Sequence, residues 1–199
     1  MKLSEKKKIL HSITSEMNDF YDNGTLLIYK PLDRILRGVC LEESREPDKV
    51  YVWAFIQPLY IPQTTEVFNF GKRLGGGCAS WGTTESGVIS RLVSEEGLPY
   101  LNTISGPEDF IKWKQSDILY TQQVIAYSLV VIGNYSDGLF ALRRLMDLIP
   151  KDLDYDYLLL LKEQVAHLTH LCETNPEKAQ ALLKQWELFT RSSLRLPLK

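Results

Sequence analysis

The residues best suited to chemistry lie in the stretch Gly71-Lys72-Arg73-Leu74-Gly75-Gly76-Gly77-Cys78-Ala79-Ser80-Trp81-Gly82-Thr83-Thr84. Backbone amides freed by glycine can cradle an anion, and the start of a following helix adds partial positive charge. On this reading Gly75, Gly76 and Gly77 line an anion or ligand loop, with Arg37, Lys72 and Arg73 as its cationic partners. No Lys-Ser or Lys-Thr follows the glycines, so the stretch is not a P-loop, and it lacks the G-x-G-x-x-G spacing of a dinucleotide site. The plainer reading is a flexible connector between a sheet and helices.

Cys78 has glycine neighbours and could serve as a nucleophile, which would need a histidine base and a group to orient it. The three histidines, His11, His167 and His170, all fall on expected outer helix faces far away in sequence. Glu163, His167 and His170 are spaced i, i+4, i+7 and share one helix face, a donor set that suits a metal. That face lies opposite the apolar stripe of the same helix, and an exposed row lacks the outer groups that orient metal ligands. No metal or cofactor is therefore expected. Asp152, Asp154 and Asp156 alternate as in a calcium loop but lack the EF-hand glycine and terminal Glu, so Asp152 or Asp154 reads as a helix cap. Trp53, Phe55, Tyr60, Phe68 and Phe70 belong to strand-like segments, where a two-residue period makes half of them core. Any outward half that stays exposed would be a recognition surface.

These groups are carried by two kinds of element. Ser4 to about Asn23 has the spacing of a helix, with Gly24 as its cap and Lys6, Lys7 and Lys8 as a solvated basic patch. Strand signals follow at Leu26–Tyr29, Ile35–Leu41, Val50–Ile56 and Val67–Phe70, with Leu59-Tyr60-Ile61 limited by Pro58 and Pro62 to an edge strand or extended loop. Helical spacing resumes over Glu85–Glu96 and again from Pro107. From Ile118 the pattern is helical throughout. Val124–Ile132 is apolar almost all round, as in a helix buried on every side. Pro150 ends the next helix; Leu161, Val165, Leu168 and Cys172 stripe a third; Asn175 caps a fourth whose core face reads Ala179, Leu182, Leu183, Trp186 and Phe189. The tail from Leu196 reads as loose. The expected fold is α+β: an N-terminal helix and small antiparallel sheet in residues 1–105, then a helical bundle in 106–199, sharing one core.

Ile132-Gly133-Asn134-Tyr135, with Gly138, Leu139, Leu142, Leu148 and Pro150, resembles the second half of a tetratricopeptide repeat. The resemblance covers some thirty residues and occurs once. It implies an αα-hairpin in which Tyr135 fills the corner and a small residue at 138 lets two helices approach. The resemblance also supports peptide binding, and Trp81 and Tyr135 are the candidate partner-binding residues. The usual Ala is replaced by Gly at 138, which weakens the second helix by about 1 kcal/mol.

Composition narrows the function classes. The 199 residues carry 23 Lys and Arg against 25 Asp and Glu, a formal net charge of -2. Split at Gly106, the halves hold 12 basic with 13 acidic and 11 basic with 12 acidic residues, so neither offers the positive surplus of a nucleic-acid binder. No segment approaches a membrane span, and the N-terminus has no apolar signal region. Cys40, Cys78 and Cys172, odd in number and widely spaced, read as reduced cytoplasmic thiols. The sequence thus points to a non-catalytic cytoplasmic protein that binds a protein partner, by analogy with toxin-neutralising immunity proteins. A phosphate-compound-binding protein or enzyme using residues 71–84, or an accessory subunit of a larger complex, stands beside it.

Overall fold

The computed structural model describes residues 2–46, 48–80, 86–112, 118–150 and 155–198. Trp81, Thr83, Thr84, Asp152 and Asp154 fall outside them. The chain is α+β: an N-terminal helix, a five-stranded antiparallel sheet, then helices. It forms two compact units, one of residues 1–57, 65–105 and 194–197 and one of residues 58–64, 106–193 and 198–199.

The first unit holds α1 (Leu3–Glu16), β1 (Phe20–Asp22), β2 (Leu26–Tyr29), β3 (Ile35–Glu43), β4 (Lys49–Pro58), β5 (Gly71–Ser80), α2 (Ser86–Leu92), a π-helical turn (Val93–Gly97) and α3 (Leu98–Leu101). Each strand lies beside its sequence neighbours, in the order β1-β2-β3-β4-β5. Three expectations are corrected. α1 buries Ile9, Leu10 and Ile13 but stops at Glu16, because Phe20, Tyr21 and Asp22 pair with Tyr29, Ile28 and Leu27. Gly24 sits in the resulting hairpin turn, where Asn23 Oδ1 accepts the amides of Thr25 and Leu26. Val67–Phe70 is no strand; the fifth strand is the glycine stretch itself, whose weak strand propensity is overridden by pairing with β4. The tail is not loose up to Leu196: Leu194 and Leu196 are buried, and the Leu194 carbonyl accepts from Asn23 Nδ2 at 3.5 Å.

The second unit holds α4 (Pro107–Ile111), α5 (Leu119–Val131), α6 (Tyr135–Leu148), α7 (Asp156–Thr174) and α8 (Pro176–Ser193). Helices α5 to α8 each pack on the next, and α8 returns to α5, with α4 also against α5. Val124, Ala126, Tyr127 and Leu129–Val131 are buried, as the all-round apolar pattern requires. The polar groups of α5 therefore need partners. Ser128 Oγ is 2.6 Å from Tyr60 Oη, and Tyr127 stacks on Trp186 with centroids 5.5 Å apart. Gln180 of α8 donates to the carbonyls of Val130 and Val131, closing the α5 C-terminus. At the α5–α6 corner, Asn134 caps α6 through the Asp137 amide, and Tyr135 Oη donates to the Pro176 carbonyl at 3.4 Å. A Cβ on Gly138 would stand 3.0 Å from Val130 Cγ2, so a methyl there would press Val130 aside by a few tenths of an ångström. Leu59, Tyr60 and Ile61 form no strand; they are buried, and the Ile61 carbonyl accepts from Thr190 Oγ1 at 3.0 Å.

The core face of α8 also departs from its periodicity. Ala179 and Leu183 are buried, but Phe189 is 48% exposed, while Glu187, Thr190 and Arg191 are buried. Arg191 Nε donates to Glu187 Oε1 at 2.9 Å, and Lys184 Nζ approaches the same oxygen at 3.2 Å. A buried charge must be paired, and the i, i+4 spacing on one helix supplies the pair. Glu187→Leu alone removes the buried carboxylate that Arg191 and Lys184 share and is expected to cost about 1–3 kcal/mol in urea unfolding. Adding Arg191→Met should recover most of that loss; a double variant as unstable as the single one would contradict a coupled pair.

Cys172 lies on the buried stripe of α7, and burial pushes its thiol up to about 11 from the ordinary 9.0. Its protonated form is favoured by folding, so its contribution is complete below about pH 9 and is lost as pH rises towards 11. Cys172→Ala should flatten the fall of stability across that window, measured by urea midpoints at successive pH values.

Candidate functional site

The two-residue period of β4 divides its side chains between the faces of the sheet. Val50, Val52, Ala54 and Ile56 are buried on one face, while Tyr51, Trp53 and Phe55 lie on the other. Phe55 is buried and Tyr51 and Trp53 are half-buried. Pairing of Trp53 with Arg73 brings the arginine of β5 onto the aromatic face. Its guanidinium carbon lies 4.3 Å from the Tyr51 ring centre and 4.9 Å from that of Trp53. On the β3 side, Trp53 Nε1 donates to Glu42 Oε2 at 2.8 Å. Phe68, 38% exposed, tilts against Trp53 at 5.8 Å and packs edge-on to Phe55 at 5.2 Å. The outcome is a fixed, half-exposed platform of Tyr51 and Trp53 beneath Arg73, flanked by Phe68.

The expected anion site takes another form. Residues 71–80 are the edge strand, not a loop opening a helix. Tyr51 pairs with Cys78 and Trp53 with Arg73, so β5 carries three extra residues in a bulge at Leu74–Gly77. Gly75 and Gly76 have φ of +70° and +66°, a conformation costly to other residues. Leu74 is buried beneath the bulge. The Gly75 amide donates to Glu96 Oε1 at 3.2 Å, and Lys72 Nζ stands 3.6 Å from Glu96 Oε2. The carboxylate of Glu96, on the π-helical turn, therefore fills the position the sequence suggested for an external anion.

The three expected cations do not converge. Lys72 pairs with Ala54 and so faces away from Arg73. Arg37, on β3, lies over the Tyr29 ring at 4.6 Å and donates to the Lys30 carbonyl at 3.5 Å. Burial lowers its pKa, partly offset by Tyr29. Cys78 Sγ is 3.3 Å from Ser44 Oγ. Cys40 is half-buried with its thiol pushed up, chiefly by burial, although Lys6 Nζ at 3.9 Å works the other way. His167 and His170 are exposed on α7, and His11 is exposed on α1 with Asp22 at 3.9 Å. Among the described residues no cluster of three or more His, Cys, Asp or Glu is placed to hold a metal. No described helix is long and apolar enough to cross a membrane. Tyr155 is the residue that precedes α7.

Sequence reasoning named Arg73 but not the rings it lies over, and it missed Tyr51, Glu42 and Glu96. Tyr51 and Glu42 could have been found by pairing the outward positions of adjacent strands; Glu96 could not, since its approach depends on the bulge. In comparisons with known proteins, no family model, no curated protein and no solved structure matches the chain.

The bulge makes a separable prediction. A Cβ at Gly76 or Gly77 meets no atom within 4 Å, so space does not distinguish the two, but only Gly76 has positive φ. Gly76→Ala should cost about 1 kcal/mol, whereas Gly77→Ala should be neutral or stabilising by about 0.5 kcal/mol. Equal urea midpoints for the two variants would contradict the bulge geometry.

Proposed function

We propose that the chain is a non-catalytic protein-interaction protein, neutralising or regulating a partner in the manner of an immunity protein, with the Tyr51–Trp53–Phe68–Arg73 face as its contact surface. The observation that carries this reading is Arg73 lying over two half-exposed aromatic rings. Tyr, Trp and Arg are the residue types that dominate interface energetics, and a platform held in place before binding loses little freedom on association. The glycine bulge and Lys72 disfavour plain strand addition at the β5 edge, so the side-chain face is the better surface. The tetratricopeptide-like corner, with Tyr135 bound to the Pro176 carbonyl, is then a packing device within the helical unit.

A second reading, an accessory subunit of a larger assembly, is favoured by the last two helices. Leu159 and Leu160 of α7 are 45% and 55% exposed, and Phe189 of α8 is 48% exposed. Apolar side chains left in water in this number suit a surface that another protein covers.

Cross-linking in native extract tests both. Under the first reading a specific partner is captured by the wild-type chain and by Leu160→Glu, and is lost in Trp53→Ser. Loss in Leu160→Glu with retention in Trp53→Ser favours the second reading. Absence of any reproducible partner overturns both.

A further inference from the structure

We infer that Arg73 is an anchor for an acidic side chain of a partner protein, a proposal that rests on the interaction reading above. Arg73 is exposed, and among the described residues its guanidinium contacts the two rings without a hydrogen bond or an ion pair. A guanidinium laid on an aromatic ring uses its face, while its N–H donors lie in its own plane. They remain available to a carboxylate, which they match with two parallel hydrogen bonds.

The platform supplies what a lone surface arginine lacks. Glu42 fixes the indole of Trp53 from the side of β3, and Phe68 braces it. The rings in turn hold Arg73, so much of the side-chain freedom a long cation loses on binding is already lost. The neighbouring cation, Lys72, is engaged with Glu96 on the other face and does not compete. Phe68 and Trp53 extend the surface with apolar area that the stem of Asp or Glu, or a flanking apolar residue, can cover. An inorganic anion has no use for that area, and the carboxylate of Glu42 beyond the indole disfavours a doubly charged one. The chemistry therefore fits a partner segment that joins an acid to apolar neighbours.

The test is a nuclear magnetic resonance titration of the full chain with three probes: a blocked Leu-Glu-Glu-Leu peptide, its Leu-Gln-Gln-Leu counterpart and inorganic phosphate. The glutamate peptide is expected to shift the Arg73 Nε–H and Trp53 Nε1–H signals to saturation. The glutamine peptide should need about tenfold more for the same shift. Arg73→Gln should abolish the Trp53 response while leaving the free indole signal in place as a sign of folding, and Arg73→Lys should weaken it. Equal response to the two peptides, a response that survives in Arg73→Gln, or equal shifts with phosphate overturns the anchor. If the anchor fails while Trp53→Ser still loses a cross-linked partner, the interaction reading stands without it. If the peptide result holds but no partner is captured, the interaction reading fails by itself.

Discussion

Strand β4 imposes a period of two, and the first unit is arranged around it. Four aliphatic side chains, Val50, Val52, Ala54 and Ile56, are committed to the interior on one face. That commitment fixes the register of the strand, because a slip of one residue would turn all four to the opposite face. Tyr51, Trp53 and Phe55 are carried to the other side as a consequence, and the flanking strands bring Glu42 and Arg73 into line with them. The aromatic platform is thus positioned by burial elsewhere.

The bulge in β5 serves the same end. A regular strand would keep its ladder from Gly71 to Ser80, whereas three extra residues between the paired segments let Leu74 turn inward and carry Gly75 to Glu96. One carboxylate satisfies a backbone amide and balances Lys72. A glycine-rich run beside two cations has the composition of an anion cradle, and here an internal anion occupies it. Of the two adjacent cations, one is consumed and the other is left over the aromatic rings.

Much of this was legible in the residues. The α+β class, strands β2 to β4, the start of α4 at Pro107 and the helices from α5 onward followed from periodicity and capping. Local signals such as Asn175 before Pro176 carried through, with Asn175 Oδ1 accepting from the Lys178 amide. What was not legible depended on pairing. Phe20–Asp22 continues a helical spacing and leaves the helix only because β2 offers hydrogen bonds, and β5 is a strand only because β4 lies beside it. The polar core of α8 was hidden for a similar reason. Glu187 and Arg191 look like an exposed i, i+4 pair until their burial is known, and Phe189 looks like core until those two take its place. The aromatic platform was half visible: the rings were named, but not which would stay in water.

The chain crosses between its two units five times, at 57/58, 64/65, 105/106, 193/194 and 197/198. No single cut can therefore release either unit whole. Severing the chain after Ser105 would strip the helices of Tyr60, whose hydroxyl meets Ser128, and of Ile61 and Gln63, which bond Thr190. Those last contacts join residues 129 and 127 positions apart, so a growing polypeptide emerging from the ribosome exposes Ile61 and Gln63 long before their mates exist. Completion of the helical unit is deferred until α8 has been made, and such distant pairing favours slow maturation.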